Sequence, residues 1–212
     1  MLRDGWGLFV ACGSMSLPSK TTTVFLGLVA GDVEVGYYSA ADKVIRAVSS
    51  VLGPVAQSLY PHLASLKTRS MSPTLSLMRK SFGWILALAA AASLATFTLA
   101  GPLVLLLWGP RFAPSIPILR CLSLMPFLFA SMNVLGTQTM LVFEMDGLLT
   151  RTVLLWAMVH IGLTAVLSST MGAAGAAMAA VATSAATVLS LAWGLRRRRA
   201  FLHAFSEPTC AP

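Results

Sequence analysis

Charge is scarce in this chain of 212 residues. Only 10% of the residues are Asp, Glu, Lys or Arg, whereas a soluble globular domain carries about 25%. Residues 84–108, 121–143 and 152–194 contain none of the four. A helix at a water-facing surface needs a polar side, and these stretches lack one. The scarcity of charge therefore excludes a soluble globular domain.

The sequence also lacks the motifs of common enzyme and metal sites. It contains no HExxH, no GxSxG and no phosphate-binding loop, and no His, Cys, Asp and Glu cluster has metal-ligand spacing. Cys12, Cys121 and Cys210 lie far apart, and an odd number of cysteines provides no closed disulfide framework. We therefore predict a protein that is not an enzyme and has no catalytic residues, metal or cofactor.

Long apolar runs fill the chain instead, and 57% of the residues are hydrophobic. Because a spanning helix needs roughly 20 apolar residues, we predict an all-α, polytopic membrane protein with six transmembrane helices. The predicted spans are residues 6–29, 36–63, 83–108, 115–143, 150–169 and 173–195. They form one lobe over residues 1–199, with a connection at 67–80 and a short tail at 200–212.

The basic residues predict the orientation of these spans. Ten lie on one side: Arg3, Lys67, Arg69, Arg79, Lys80, Arg151 and Arg196 to Arg199. The opposite loops contain one basic residue, Arg111, beside the acidic Asp32 and Glu34. By the positive-inside rule the first side is cytoplasmic, and so are both termini. Because membrane orientation explains the net charge of +8, we predict no nucleic-acid partner.

Some polar residues lie within the predicted spans, where a charge is costly unless it faces a cavity or a partner. The predicted cavity residues are Lys20, Asp42, Lys43, Arg46, Arg120, Gln57 and Gln138. Asp42 and Arg46 are four residues apart and can pair along one helix face. For Lys43, Arg46 and Arg120 the alternative is an anchoring role at the lipid headgroups. For the two glutamines the alternative is hydrogen bonding between helices.

Proline and glycine mark further features of the spans. Pro18, Gly53 and Pro54 are predicted bending points. The run of small residues from Gly172 to Ala177 predicts a close packing face in the last span. His160 is interpreted as a hydrogen-bonded packing residue, with a proton relay as the alternative.

Several short motifs, taken in order, resemble the second half of the bacterial polysaccharide flippases. They are LRDGWGLF at 2–9, VGYYSAADKV at 35–44, LYPHL at 59–63, AGPLV at 100–104, WGPRF at 108–112, ILRCL at 118–122, GTQTML at 136–141 and GAAGAA at 172–177. These are O-antigen and capsule repeat-unit flippases, in one superfamily with the multidrug and oligosaccharidyl-lipid exporters. The resemblance covers nearly the whole chain.

The resemblance implies one lobe of a two-lobe transporter in the bacterial inner membrane. Members of this family flip an undecaprenyl-diphosphate-linked oligosaccharide outward by alternating access. Membrane lipid and the lipid-linked glycan are therefore the implied partners. Lys43, Arg46 and Arg120 match motif positions where basic residues are common. Thr22 stands where the family commonly carries an acidic residue, which is a departure from the pattern. A second six-helix lobe would be fused, separately encoded or a second copy, and we favour a truncated gene product.

Two other functions stay open. A multidrug-type exporter of the same superfamily would need an acidic cavity for cationic drugs. A non-transporting structural or assembly subunit of the membrane would fit a genuine half-length chain. A membrane glycosyltransferase or acyltransferase is disfavoured because the loops contain no acidic pair and no His-x4-Asp motif.

Overall fold

A computed structural model of the chain describes residues 22–66, 71–135 and 146–206. These residues form helices and no strand, which confirms the predicted all-α class. The helices are α1 (22–29), α2 (Asp32–Leu66), α3 (Met71–Thr98), α4 (Ala100–Trp108), α5 (Ser115–Leu122), α6 (Met125–Met132) and α7 (Asp146–Ser206). A short 3-10 turn, Pro110–Phe112, joins α4 to α5.

Helix α2 begins after Gly31, whose φ of 85° reverses the chain between α1 and α2. The acidic residues Asp32 and Glu34 lie in its first turn, where their negative charges stabilise the helix by interacting with the positive end of its dipole. The helix continues through Gly53 and Pro54, two of the predicted bending points. Pro18, the third, lies outside the described residues.

The predicted span at 83–108 is bent by 65° between Phe82–Thr98 and Ala100–Trp108. Thr98 turns its hydroxyl back to the carbonyls of Leu94 and Ala95, at 3.0 and 3.1 Å, and such bonds bend helices. Pro102 lacks the N–H that would continue the helical ladder through this point. The bend therefore follows from a threonine and a proline one turn apart.

Two other connections also differ in detail from the prediction. The segment at 67–80 is helical from Met71, because Pro73 lies in the first helical turn, where proline is tolerated. The span at 115–143 is divided between α5 and α6 at Ser123, whose hydroxyl bonds to the Arg120 carbonyl at 2.7 Å. Pro126, the second residue of α6, has no N–H to bond to the preceding turn.

Helix α7 is a hairpin of two arms. A straight helix of its 61 residues would be about 90 Å long, three times the hydrocarbon core of a bilayer. Gly172 breaks it with φ 59° and ψ −136°, a conformation that favours glycine. Residues far apart along the chain then meet across the arms, as in the 3.0 Å hydrogen bond from Trp156 Nε1 to Ser190 Oγ.

The buried core lies where the second arm of α7 packs against α2 and α5. Ala173, Ala176 and Ala177 are fully buried there, which confirms the predicted packing face of small residues. Leu26 of α1 and Leu119 of α5 complete this core. In contrast, many large apolar side chains along α3, α4 and α7 are exposed, as expected for helices that face lipid.

Within the described residues, Ser115–Leu135 and Leu149–Arg197 are long and apolar enough to cross a membrane. The bent pair of α3 and α4 makes a third if it counts as one span. The chain is thus a helical membrane protein, and the number of six spans stays a prediction.

Candidate functional site: a cavity beside the α7 hairpin

A cavity of about 290 Å³ lies among α1, α2, α5, α6 and both arms of α7. Its wall is largely apolar, with Ile45, Met125 and Phe129 among its members. The polar members are Thr22, Tyr38, Asp42, Asn133, Trp156, His160, Thr183, Ser184 and Thr187. An apolar cavity with a few converging polar groups is the usual form of a small-molecule site.

The cavity lies well inside the membrane-spanning part of the helix bundle. At 1.5 Å per residue, His160 and Thr183 are each roughly 17 Å from the turn at Gly172. The hydrocarbon core of a bilayer is about 30 Å thick, so this distance places them near its middle. Polar groups at such a depth need partners within the protein.

His160 supplies these contacts, and only 5% of it is exposed. Its Nε2 lies 2.9 Å from Thr22 Oγ1 in α1, and its Nδ1 lies 3.0 Å from Thr183 Oγ1 in the second arm. Tyr38 of α2 lies on the cavity wall within reach of the Thr22 side chain. One imidazole thus connects three helices around the cavity.

The direction of these hydrogen bonds follows from Thr183. Its hydroxyl donates to the Ala179 carbonyl at 2.7 Å, as threonines in helices often do. The Thr183 oxygen must therefore accept a hydrogen from His160, which assigns the proton of the neutral ring to Nδ1. Nε2 is then an acceptor, and Thr22 donates to it.

The contacts of His160 belong to a longer polar stripe. Trp156, His160, Thr164 and Ser168 recur every four residues along the first arm of α7 and share one helix face. His160, Thr164 and Ser168 are buried. This spacing is visible in the sequence and would have identified the face that packs against the second arm.

Asp42 connects the cavity to the outer surface of α2. It lies on the cavity wall and also accepts a hydrogen bond from Arg46 Nε at 2.6 Å. The side chain of Arg46 is 54% exposed and that of Asp42 21%. The pair therefore reaches from the interior of the helix bundle to its surface, in the i, i+4 arrangement that the sequence predicts.

The other predicted cavity residues lie elsewhere. Lys43 and Arg120 are exposed and are not on the wall of this cavity. The guanidinium of Arg120 lies 5.9 Å from the centre of the Phe97 ring, a cation–π contact on the surface. Lys20, Gln138 and the side chain of Gln57 lie outside the described residues.

Thr22, Tyr38, His160 and Thr183 are not among the residues predicted to line a cavity. Charge at membrane depth is the signal that selects Asp42, and uncharged hydroxyls and a lone histidine do not carry it. The interpretation of His160 as a hydrogen-bonded packing residue is confirmed by its two ring contacts. Among the described residues, no group of three His, Cys, Asp or Glu could hold a metal ion.

Comparison with known proteins agrees with the motifs. The first 67 residues match the family described as polysaccharide biosynthesis protein. A protein of Escherichia coli (strain K12) that carries the name O-antigen transporter is 31% identical over 140 residues, 66% of this chain and 34% of that protein. A Shigella dysenteriae protein of the same name is 24% identical over 161 residues, 76% of this chain and 40% of that protein.

The matched regions thus cover little more than a third of the length of these curated relatives. No solved structure gives a significant match to the chain. The chain is a helical membrane protein related to the polysaccharide biosynthesis family and to O-antigen transporters, which confirms the resemblance that its sequence motifs indicate.

Proposed function

We propose that the chain is one lobe of an exporter that moves a lipid-linked oligosaccharide across the bacterial inner membrane by alternating access. The names of its relatives support export of a polysaccharide unit rather than an enzymatic reaction. The six spans, their orientation and the second lobe are parts of the same proposal. The observation that carries it is the position of the Asp42–Arg46 ion pair.

Arg46 lies at about the depth of the cavity. By helical rise it is roughly 20 Å from Asp32 at the start of α2, which lies beside the Gly172 turn, and so falls within a hydrocarbon core about 30 Å thick. Its guanidinium is nevertheless exposed on the lobe surface. A charge on a lipid-facing surface at this depth is strongly unfavourable. We therefore infer that this face of α2 lines a water-filled cavity.

The charge on that face suits an anionic substrate. Lys43 is exposed next to the Asp42–Arg46 pair, so the local balance is two cations and one carboxylate. A guanidinium and an ammonium bind phosphate oxygens through charge-assisted hydrogen bonds. The diphosphate of a lipid-linked glycan is a group of this kind.

A second lobe would complete the cavity. The curated relatives are about two to three times longer than the region that they share with this chain. An exposed ion pair at mid-membrane depth needs a polar surface opposite to it. The additional length of the relatives is enough for such a surface, whether it is fused to the chain or encoded separately.

The proposed orientation places both termini in the cytoplasm. Arg197 stacks on the Trp193 ring with its guanidinium 3.9 Å from the ring centre, near the end of the second arm of α7. Trp and Arg together are typical anchors at a membrane–water interface.

The orientation is tested by labelling engineered cysteines at 67–70 in intact and permeabilised cells. Labelling in intact cells by an impermeant reagent would reverse it.

The proposed water-filled cavity beside Arg46 is tested by replacing residues in the chromosomal copy of the gene, so that any partner lobe is present. Arg46→Ala is expected to lower the surface polysaccharide at least about tenfold, because a charge-assisted bond contributes about 1.5–3 kcal/mol. Arg46→Lys should recover part of the export, since it keeps a point charge. Arg111→Ala, in the exposed 3-10 turn, is the matched control and should export normally. Normal export by Arg46→Ala would overturn the proposal.

One observation favours a second candidate, a multidrug-type exporter. Within the described part of the chain, the charged side chain on the wall of the 290 Å³ cavity is the carboxylate of Asp42. An acidic cavity suits cationic drugs. Efflux of ethidium that depends on Asp42 and is lost in Asp42→Asn, with unchanged surface polysaccharide, would support this function. Equal ethidium efflux with and without the gene would exclude ethidium as a substrate.

A further inference from the structure

We propose that His160 is a proton-binding switch, and that its protonation opens the cavity beside the α7 hairpin to water. The inference concerns the lobe itself and does not depend on which substrate is exported. It rests on the three-helix contact of the imidazole, on the direction of its hydrogen bonds and on its place in the cavity wall.

His160 joins elements that are remote in the chain. Thr22 in α1 and Thr183 in the second arm are 138 and 23 residues away from it. Both contacts are made by the two nitrogens of one ring, and the residue is 5% exposed. The ring therefore lies where α1 meets both arms of α7.

The arrangement fits the neutral ring. Because the Thr183 hydroxyl donates to the Ala179 carbonyl, Nδ1 carries the proton and Nε2 accepts from Thr22. A second proton on Nε2 turns that nitrogen into a donor. The Thr22 hydroxyl must then rotate and donate elsewhere, or the contact between α1 and α7 must lengthen. Protonation thus acts on the α1 side and leaves the Thr183 side unchanged.

The groups that face His160 decide where the new charge is balanced. In α2 the titratable groups of the cavity are Tyr38 and Asp42, and Asp42 is already paired with Arg46. α5 contributes the partly buried Cys121 near Tyr38, and α6 contributes the neutral Asn133. In α7 the facing groups are hydroxyls and the indole of Trp156.

Among the described residues, Tyr38 connects a rearranged Thr22 to a carboxylate. Thr22 can donate to Tyr38, and Tyr38 lies within electrostatic range of Asp42. If Thr22 donates to Tyr38, the Tyr38 hydroxyl hydrogen can turn towards Asp42 and compete with Arg46 for its carboxylate, with no net transfer of charge. The switch therefore connects the interior cavity to the ion pair on the outer face of α2.

Water entry is the expected consequence. A charged imidazole in a cavity with mostly apolar walls is unfavourable unless water or a counter-charge reaches it. The cavity is large enough to hold several waters. The protonated state should therefore be the more hydrated and more open one.

The proton is detected directly by nitrogen NMR of the chain in lipid nanodiscs. The chain has three histidines, so the variant His62→Gln/His203→Gln leaves His160 alone. Between about pH 8 and pH 5, the range in which histidine charge changes, the spectrum should pass from the Nδ1–H tautomer to the imidazolium. A ring that stays neutral throughout this range would overturn the proposal. This measurement leaves His160 intact and does not depend on a variant of that residue.

Opening is measured through a cysteine on the cavity wall. Cys12, Cys121 and Cys210 are replaced by serine, and Ser184→Cys provides the target for a small methanethiosulfonate. Thiols react more slowly as the pH falls, because the thiolate is the reactive form. Both rates fall with the thiolate fraction, but the ratio of the parent's labelling rate to that of His160→Gln at the same pH should rise about tenfold as the ring is protonated.

His160→Gln is the matched variant because it keeps one donor and one acceptor and cannot take a proton. Equal pH dependence of labelling in this variant and in the parent would show that another group, such as Asp42, controls the cavity. That result would overturn the role of His160. Labelling of the parent that falls with pH like a simple thiol would do the same.

Discussion

The two ends of the α7 hairpin are held together in different ways. Near the turn, small residues of the second arm are buried, and Gly175 brings the two backbones into direct contact. Farther from the turn, side chains join the arms, as between His160 and Thr183, and the cavity lies beside them. The same two helices are therefore sealed at one end and open at the other.

The difference reflects what drives association in a membrane. Lipid is as apolar as leucine, so helices associate by close packing and by hydrogen bonds rather than by the hydrophobic effect. Alanine and glycine give close packing at the turn. Imidazole, indole and hydroxyl groups give hydrogen bonds farther away, where the cavity lies. The two ends of the hairpin thus use the two means of association that lipid permits.

The largest loss of stability is expected for Gly175→Ala, at the end of the hairpin near the turn. A Cβ at this position would overlap the carbonyl oxygen of Leu167 in the first arm, and a backbone atom cannot move aside without shifting the arm. We expect a loss of about 3 kcal/mol in the free energy of unfolding, measured by SDS titration in mixed micelles. The cost arises because the arms must separate.

Gly162→Ala is the matched control for this change. Gly162 is exposed on the first arm, and a Cβ there would meet nothing within 4 Å. The variant should be as stable as the parent or slightly more stable, since alanine favours helix by about 1 kcal/mol. Equal losses in both variants would show that the arms are not in close contact at the turn.

The second largest loss of stability is expected at the end of the hairpin beside the cavity. His160→Leu removes the hydrogen bonds to Thr22 and Thr183 and should cost about 1–2 kcal/mol by the same titration. His160→Gln, which preserves a donor and an acceptor, should lose less than half as much. If both variants were as stable as the parent, the polar contacts would not hold this end, and the contrast between the two ends would disappear.

Much of this fold follows from the sequence because lipid imposes simple rules. Uncharged runs mark the membrane-embedded helices, and Gly172 marks the turn of the hairpin, since few other residues adopt its positive φ. The small residues after Gly172 indicate a packing face. Each of these signals is local, and each needs no knowledge of a partner helix.

The bend between α3 and α4 and the contacts of His160 could not be predicted in the same way. The bend depends on whether Thr98 bonds back to its own helix or to a neighbour, which the sequence does not decide. His160 meets Thr22 over a separation of 138 residues, so the pair is defined by the packing of whole helices. Charge at depth led to Asp42, but uncharged cavity residues give no comparable signal.

The third prediction concerns the contact between α2 and the turn end of the α7 hairpin. The carboxylate of Glu34 accepts a hydrogen bond from the Ala173 backbone N–H at 2.8 Å, and so caps the first turn of the second arm. Glu34→Ala should cost about 1 kcal/mol, as for other helix caps. Asp32→Ala, an exposed residue in the same turn of α2, is the control and should cost less. Equal costs would show that the cap contributes nothing beyond the charge of the first turn.

The smallest effect is expected for Trp156, the outermost tie between the arms. Its indole donates to Ser190 Oγ at 3.0 Å, and a hydrogen bond between membrane helices contributes about 0.6 kcal/mol on average. Trp156→Phe and Ser190→Ala should each lose about this amount, and the double variant should lose little more than one of them. A coupling energy near zero would leave the contact between His160 and Thr183 as the tie of the open end. A clear coupling would show that hydrogen bonds continue to hold the arms beyond the cavity, where small residues no longer can.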